Sequence, residues 1–136
     1  MMSGSKNLEF LLENLAPEIV SGEYVFVAVS EEILKELSDI AILIFREKEA
    51  ITVIVQKDIA DAHSLLYEDT WGLITLSVHS NLSAIGFLAE ITQVLARARL
   101  SVNVVSAYHH DHLFVPYDRT SEAHSILLEA AHTKSK

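Results

Sequence analysis

One order of elements recurs in this chain, and it constrains the fold more than any single motif. "YVFVAVS" (Tyr24 to Ser30) is a nearly continuous apolar run, the pattern of a strand covered on both faces. "EEILKEL" follows as a short helix, with Ser30 placed to cap it. "IAILIF" and "ITVIVQ" are two β-rich runs joined by the charged "REKEA", which predicts a hairpin. "KDIADAHSLLYE" then reads as a helix with Ile59, Ala62, Leu65 and Leu66 on one side. The second half repeats this order. "WGLITLSVHS" predicts a strand, and Ser83 to Arg99 a helix in which Leu88, Ile91, Leu95 and Ala98 recur at helical intervals. "SVNVVSAY" and "LFVPY" predict strands about the turn "HHDH", and "RTSEAHSILLEAA" a last helix capped by Asp118 or Thr120, with Ala123, Ile126, Leu127 and Ala130 facing inward. Ahead of both halves, Leu8, Leu11, Leu12 and Leu15 predict a helix that Pro17 ends.

Strand–helix–strand–strand–helix, read twice, prunes the possible topologies sharply. A helix joining two strands of one sheet is a crossover, and crossovers are right-handed in nearly all cases. Crossovers around a hairpin produce the split β-α-β, or ferredoxin-like, arrangement of helices on one sheet. The expected class is therefore α+β: two ferredoxin-like βαββα modules paired side by side, with antiparallel sheets and helices on one face. Each half has about 60 residues and alone buries little apolar surface, so pairing is expected to complete the core. Residues 1–16 are read as an N-terminal helix, 17–70 as the first module and 71–136 as the second. Trp71, at the junction, is expected to pack where the halves meet.

Composition excludes several classes of function. The 136 residues are 50% hydrophobic and 21% charged, as in a folded globular protein, with a formal charge of −9. Nucleic-acid binding draws on Lys and Arg to displace counterions, so nucleic acid is not an expected partner. A polybasic membrane contact is likewise not expected. There is no cysteine, hence neither disulfide nor thiolate metal ligand. No apolar run approaches the ~20 residues that cross a bilayer, and "MMSGSKNLEFLLENLAPE" lacks the apolar core of a signal peptide. A cytoplasmic protein without a cofactor is the expectation.

The run "LITLSVHSNLSAIGFLAEITQVLARARLSVNVVSAYHHDHLFVP" resembles an ACT domain, the small-molecule-sensing module of amino-acid metabolism. The match is carried by "VLARARLSVNVVSA", where a helix exits at Leu100 and a strand starts near Asn103. "GEYVFVAV" with "AILIFREKEAITVIV" resembles a degenerate partner of the same family. The whole is similar to short bacterial proteins with two ACT-like halves, and to the regulatory half of aspartate kinases and the cytosolic arginine sensors. The resemblance implies ligand binding at the seam between modules, with an amino acid as the expected ligand and a homo-oligomer, a dimer, as the expected assembly. One departure stands out. ACT loops often read Asp-x-Pro-Gly before the helix, and here the loop is "HSNLSAIG", without the proline and with Ser80 or Asn81 near the acidic position.

The candidate ligand-binding residues follow from that loop and the next strand. A helix start leaves backbone N–H groups unpaired and favours an anion such as a carboxylate. Ser80, Asn81 and Ser83 could add side-chain bonds, or could serve only as a helix cap. Gly86, early in the expected helix, points to close approach of a ligand or of a neighbouring element. With Leu82 and Ile85 from the same loop, and Asn103 and Val104 from the strand that the resemblance places at the ligand interface, these form the candidate set.

His109, His110, Asp111 and His112 are the other notable cluster. Imidazole and carboxylate suit zinc and similar ions. They also stand where a hairpin must turn, and Asp favours turns for backbone reasons. His63, His79, His124 and His132 are scattered along the sequence and supply no second ligand pair at a recognisable spacing. The hairpin reading is preferred, so no metal ligand or catalytic residue is assigned. The expected function is a regulatory protein that binds a small molecule, an amino acid above all, and not an enzyme. The alternatives are a small metal-dependent enzyme using the His109–His112 cluster and a structural interaction module without ligand.

Overall fold

The structure, a computed structural model, describes residues 4–134. Its elements run in the order α1 (Leu8–Glu13), β1 (Pro17–Val29), α2 (Glu31–Leu37), β2 (Leu43–Arg46), β3 (Ile51–Gln56), α3 (Lys57–Ala62), β4 (Trp71–Leu76), α4 (Phe87–Arg97), β5 (Asn103–Ser106), β6 (Asp111–Pro116), a 3-10 turn (Tyr117–Arg119) and α5 (Thr120–Lys134). The α+β class and the repeated βαββα order are both present. The chain forms two compact units, one from residues 4–21 with 72–134 and the other Gly22–Trp71. Strand β1 begins in the former and ends in the latter.

In the Gly22–Trp71 unit the strand order is β2-β3-β1, all antiparallel. Val25 pairs with Val55, Val27 with Val53, and Val29 with Ile51. Period two sends these β-branched side chains to one face, where they join Leu34 and Leu37 of α2 and Ala60 of α3 in a buried core. Ser30 caps α2 by accepting from the Ile33 N–H at 3.4 Å. Trp71 packs edge-on to Phe26, ring centroids 5.9 Å apart. Helix α3 is shorter than its apolar pattern suggests. Ser64 takes the left-handed conformation (φ 54°) and ends it, so Leu66 is 92% exposed and does not face inward.

In the other unit the opening residues of β1 neighbour β4, followed by β6 and β5. Ile74 and Leu76 of β4, Leu113 and Val115 of β6, Ile91 and Leu95 of α4, and Ala123 and Leu127 of α5 form its core. Helix α1 belongs to this unit. Asn7 caps it by accepting from the Phe10 N–H at 2.9 Å, and it places Leu11, Leu12 and Leu15 in the same core. Full burial of such a side chain is worth ~1.5–3 kcal/mol. Gly72 permits a close approach, since a Cβ there would lie 1.9 Å from Thr120 Oγ1 at the start of α5. Arg119 closes the far end of α4 by donating to the carbonyls of Arg99 (3.0 Å) and Ala98 (3.2 Å) while pairing with Glu122.

Two boundaries depart from the sequence pattern. Strand β1 starts at Pro17, seven residues ahead of the Tyr24 start expected from sequence, because Gly22 (φ 123°) lets the backbone deviate without ending the strand. Helix α4 starts at Phe87, four residues after the expected Ser83. Gly86 (φ 85°) is its N-cap, in a left-handed conformation that would strain any other residue.

Candidate functional site

The loop from Ser80 to Gly86 connects β4 to α4, and a short N-terminal stretch clamps its beginning. Ser5 and Ser80 form a parallel bridge. The Ser5 N–H donates to the His79 carbonyl at 2.9 Å, and the Asn81 N–H donates to the Ser5 carbonyl at 2.8 Å. Asn81 then folds the loop back on itself. Its Oδ1 accepts from the Ser83 N–H at 2.8 Å, and its carbonyl accepts from the Ala84 N–H at 2.9 Å. The chain arrives at Gly86 with Ser83 and Ile85 outside the fold; Ile85 is 86% exposed.

Gly86, the N-cap of α4, has no side chain with which to cap it. The N–H of Glu90 makes the first bond back, to the Gly86 carbonyl at 3.1 Å. The amides of the first turn point out of the helix end, where the helix dipole is positive. That end opens on a cavity of about 140 Å³ lined by Ser80, Asn81, Leu82 and Gly86 to Ala89, with Ser106 and Asp111 opposite. At ~10–15 Å³ per water-sized probe, such a space takes a molecule of roughly ten heavy atoms. On the other side of the loop, Gly4, Asn81, Leu82 and Tyr108 border a second hollow of about 190 Å³.

Asp111 is the residue that gives the cavity its chemistry. It opens β6 opposite Ser106, is 5% exposed, and accepts a 2.7 Å hydrogen bond from the Ser80 hydroxyl, which is itself 7% exposed. A buried carboxylate is costly unless it is paired. Here it faces a cavity whose other wall is the positive end of a helix.

Of the residues singled out from sequence, Ser80, Asn81, Leu82 and Gly86 line this cavity. Ser83 contributes to the turn beside it. The reading of Gly86 changes: a Cβ there would meet only Leu8, at 3.7 Å, so the glycine serves the backbone angle and not a close approach. Asn103 is exposed on β5, opposite Phe114, and Val104 packs half-buried against the core opposite Leu113; neither lines the cavity. Asp111 and Ser106 do; the sequence singles out Asp111 only as part of the histidine turn and does not single out Ser106. A signal for Asp111 existed. Period two along β6 puts it on the face of Leu113 and Val115, which are core residues.

The histidines are also more gathered than their spacing suggests. The turn closes with the Ala107 N–H donating to the His110 carbonyl at 3.0 Å. His79, which looked isolated in sequence, has its ring centroid 5.3 Å from that of His109 and 6.2 Å from that of His110. His112, half-buried on β6, shares a 2.9 Å hydrogen bond between Nδ1 and Thr75 Oγ1. Burial pushes its pKa down, and nearby His110 adds to that, partly offset by Asp111. Among the described residues no group of three or more histidine, aspartate or glutamate side chains could hold a metal ion. No helix among the described residues is long and apolar enough to cross a membrane.

Comparison with known families decides where the chain belongs. Two patterns described as ACT domain match it in tandem, one over residues 3–71 and the other over residues 66–129. The chain belongs to the ACT domain family. A comparison with curated proteins gave no match. Among solved structures, the tandem ACT chain is similar to a Vibrio cholerae protein of unknown function described as a possible transport protein. The two are 36% identical, with 93% of this chain and 97% of that one covered and a TM-score of 0.82. A protein from Agrobacterium tumefaciens shares the fold at 18% identity, covering 85% and 87% of the two chains, with a TM-score of 0.71. So does the regulatory subunit of aspartate kinase from Thermus thermophilus, at 10% identity, with 86% and 97% covered and a TM-score of 0.66. ACT domains are regulatory modules and not catalytic ones, and tandem membership supports a ligand-binding regulatory role here.

Proposed function

We propose that this tandem ACT protein binds a free amino acid in the cavity at the N-terminus of α4 and passes on that signal as a regulatory protein. In this reading the ligand carboxylate lies against the first-turn amides of α4 and its ammonium group against Asp111. The observation that carries the reading is the placement of a buried carboxylate across one small cavity from an uncapped helix end. It also resolves the departure noted in the loop. The acidic group absent from "HSNLSAIG" is supplied by β6, thirty-one residues along the chain from Ser80. The ligand's own side chain would extend past Leu82 and Leu88 toward the mouth of the cavity.

Strand β5 stands at the end of its strand order, with one hydrogen-bonding edge unpaired among the described residues. A homodimer that extends the sheet there is the assembly this reading expects, in the cytoplasm with the amino-acid pool it would sense. The test of the ligand is a thermal-shift screen of the full chain against the twenty amino acids. A ligand at a hundredfold excess over Kd stabilises the fold by ~2.7 kcal/mol. Stabilisation by one or a few amino acids is expected, and lack of any shift across all twenty contradicts the reading.

A further inference from the structure

We propose that the α4 cavity selects among amino acids by side-chain charge and size, taking the aliphatic valine, leucine and isoleucine and rejecting acidic and large aromatic ones, with Leu82 setting the preference. This selection rests on the binding mode proposed above, in which the ligand's carboxylate and ammonium groups lie against α4 and Asp111. It concerns what the rest of the lining accepts. Asp111 is the one formally charged residue among the described residues that line the cavity, and no Lys, Arg or His is among them. Leu82, Ala84, Leu88 and Ala89 give the cavity apolar walls.

Charge is the first filter. With the ligand's ammonium group against Asp111, a side-chain carboxylate would be a further anion with no cation to meet it. Like charges ~7 Å apart in an effective dielectric of ~20 weaken binding by roughly fiftyfold, which solvent at the mouth reduces to about tenfold. A basic side chain would place its charge among apolar walls, with the one carboxylate already engaged. Size is the second filter. The space of about 140 Å³ takes roughly ten heavy atoms. Valine, leucine and isoleucine have about eight or nine and fit it, whereas tyrosine and tryptophan have about thirteen and fifteen. Apolar contact is the third. Leu82 is 66% exposed and stands outside the core, whereas Ala84 and Leu88 pack against it. An aliphatic ligand side chain gives Leu82 something to cover. Each methylene so buried strengthens binding about fourfold, so valine should exceed alanine by about tenfold. Threonine keeps the shape of valine but puts a hydroxyl in place of a methyl group, and should bind at least about threefold more weakly than valine.

The test is calorimetric titration of the full chain with alanine, valine, leucine, isoleucine, threonine, asparagine, aspartate, glutamate, lysine and tryptophan. The three branched aliphatic amino acids should bind tightest, and aspartate about tenfold more weakly than its isostere asparagine. Leu82→Ala should cut the ratio of valine to alanine affinity about threefold. Leu82→Arg supplies the missing cation and should remove the penalty on aspartate relative to asparagine. Both variants change an exposed loop residue, and far-UV circular dichroism checks that they are folded. Tightest binding by aspartate, glutamate, lysine, threonine or tryptophan overturns the proposal while leaving an amino acid in the cavity. So does an unchanged valine-to-alanine ratio in Leu82→Ala, or an undiminished aspartate penalty in Leu82→Arg. Failure of every amino acid to bind overturns this selection together with the binding mode beneath it.

Discussion

On the proposed binding mode, replacing Asp111 with Asn separates binding from stability, because the carboxylate would serve one at the expense of the other. The substitution keeps the shape and leaves an oxygen to accept from Ser80, now 2.7 Å away. A charge-assisted bond worth ~1.5–3 kcal/mol becomes a neutral one worth ~0.5–1.5 kcal/mol, a loss of about 1 kcal/mol. Against this, the side chain is 5% exposed, and a buried ion carries an effective desolvation penalty of several kcal/mol. The balance favours the amide, with a net gain of about 1–2 kcal/mol and a rise in Tm of about 3–8 °C. Ligand binding moves the other way. An ion pair at ~4 Å in an effective dielectric of ~20 is worth about 4 kcal/mol. Solvent at the cavity mouth halves that to about 2 kcal/mol, or roughly 30-fold in Kd. Differential scanning fluorimetry with and without the best amino acid from the screen reads both quantities. The expected result is an apo Tm equal to or above that of the native chain, with the ligand shift lost. A fall in apo Tm with the ligand shift intact would refute the reasoning and make Asp111 a structural residue.

Three further perturbations follow from the geometry. Gly72→Ala places a Cβ 1.9 Å from Thr120 Oγ1 at the head of α5 and should destabilise the fold by about 1–3 kcal/mol in urea titration; an unchanged midpoint contradicts the packing described. Gly86→Ala should cost about 1–2 kcal/mol, because the strain lies in its φ of 85° and not in a clash, and Gly86→Asn should cost less. Stability should fall as the pH is lowered: burial depresses the His112 pKa in the folded state, so the unfolded chain takes up the proton first, near pH ~6.5. That contribution is present above pH ~6.5 and lost as the pH falls through the folded pKa, and His112→Asn should flatten the slope.

What could be read from the sequence was local, and what could not was mostly the meeting of distant segments. The apolar, β-rich runs "YVFVAVS" and "ITVIVQ" and the helical period of "FLAEITQVLARA" set the type and order of the elements, because each is dictated by what that segment buries. Boundaries failed where one residue's backbone angle outweighs the pattern. Ser64 ends α3 ahead of Leu65 and Leu66, Gly86 delays α4, and Gly22 deforms β1 without ending it. In the site, Ser80, Asn81, Leu82 and Gly86 were found because a loop before a helix is a local feature. The Asp111–Ser80 contact depends on strand order, which brings β6 beside β4, and the approach of His79 to His109 depends on the same neighbourhood. Asp111 has an ambiguous local signature. It favours turns, yet its parity with Leu113 and Val115 places it on the buried face.

The central claim, that a small zwitterion sits at the mouth of α4, can be measured directly by two-dimensional amide NMR on the ¹⁵N-labelled chain titrated with each amino acid. The account predicts that the amides of Phe87, Leu88 and Ala89 move first and furthest with the true ligand, joined by Ser80, and that Asp111→Asn abolishes the movement. Saturable shifts confined to other parts of the chain, or none with any amino acid, would contradict it.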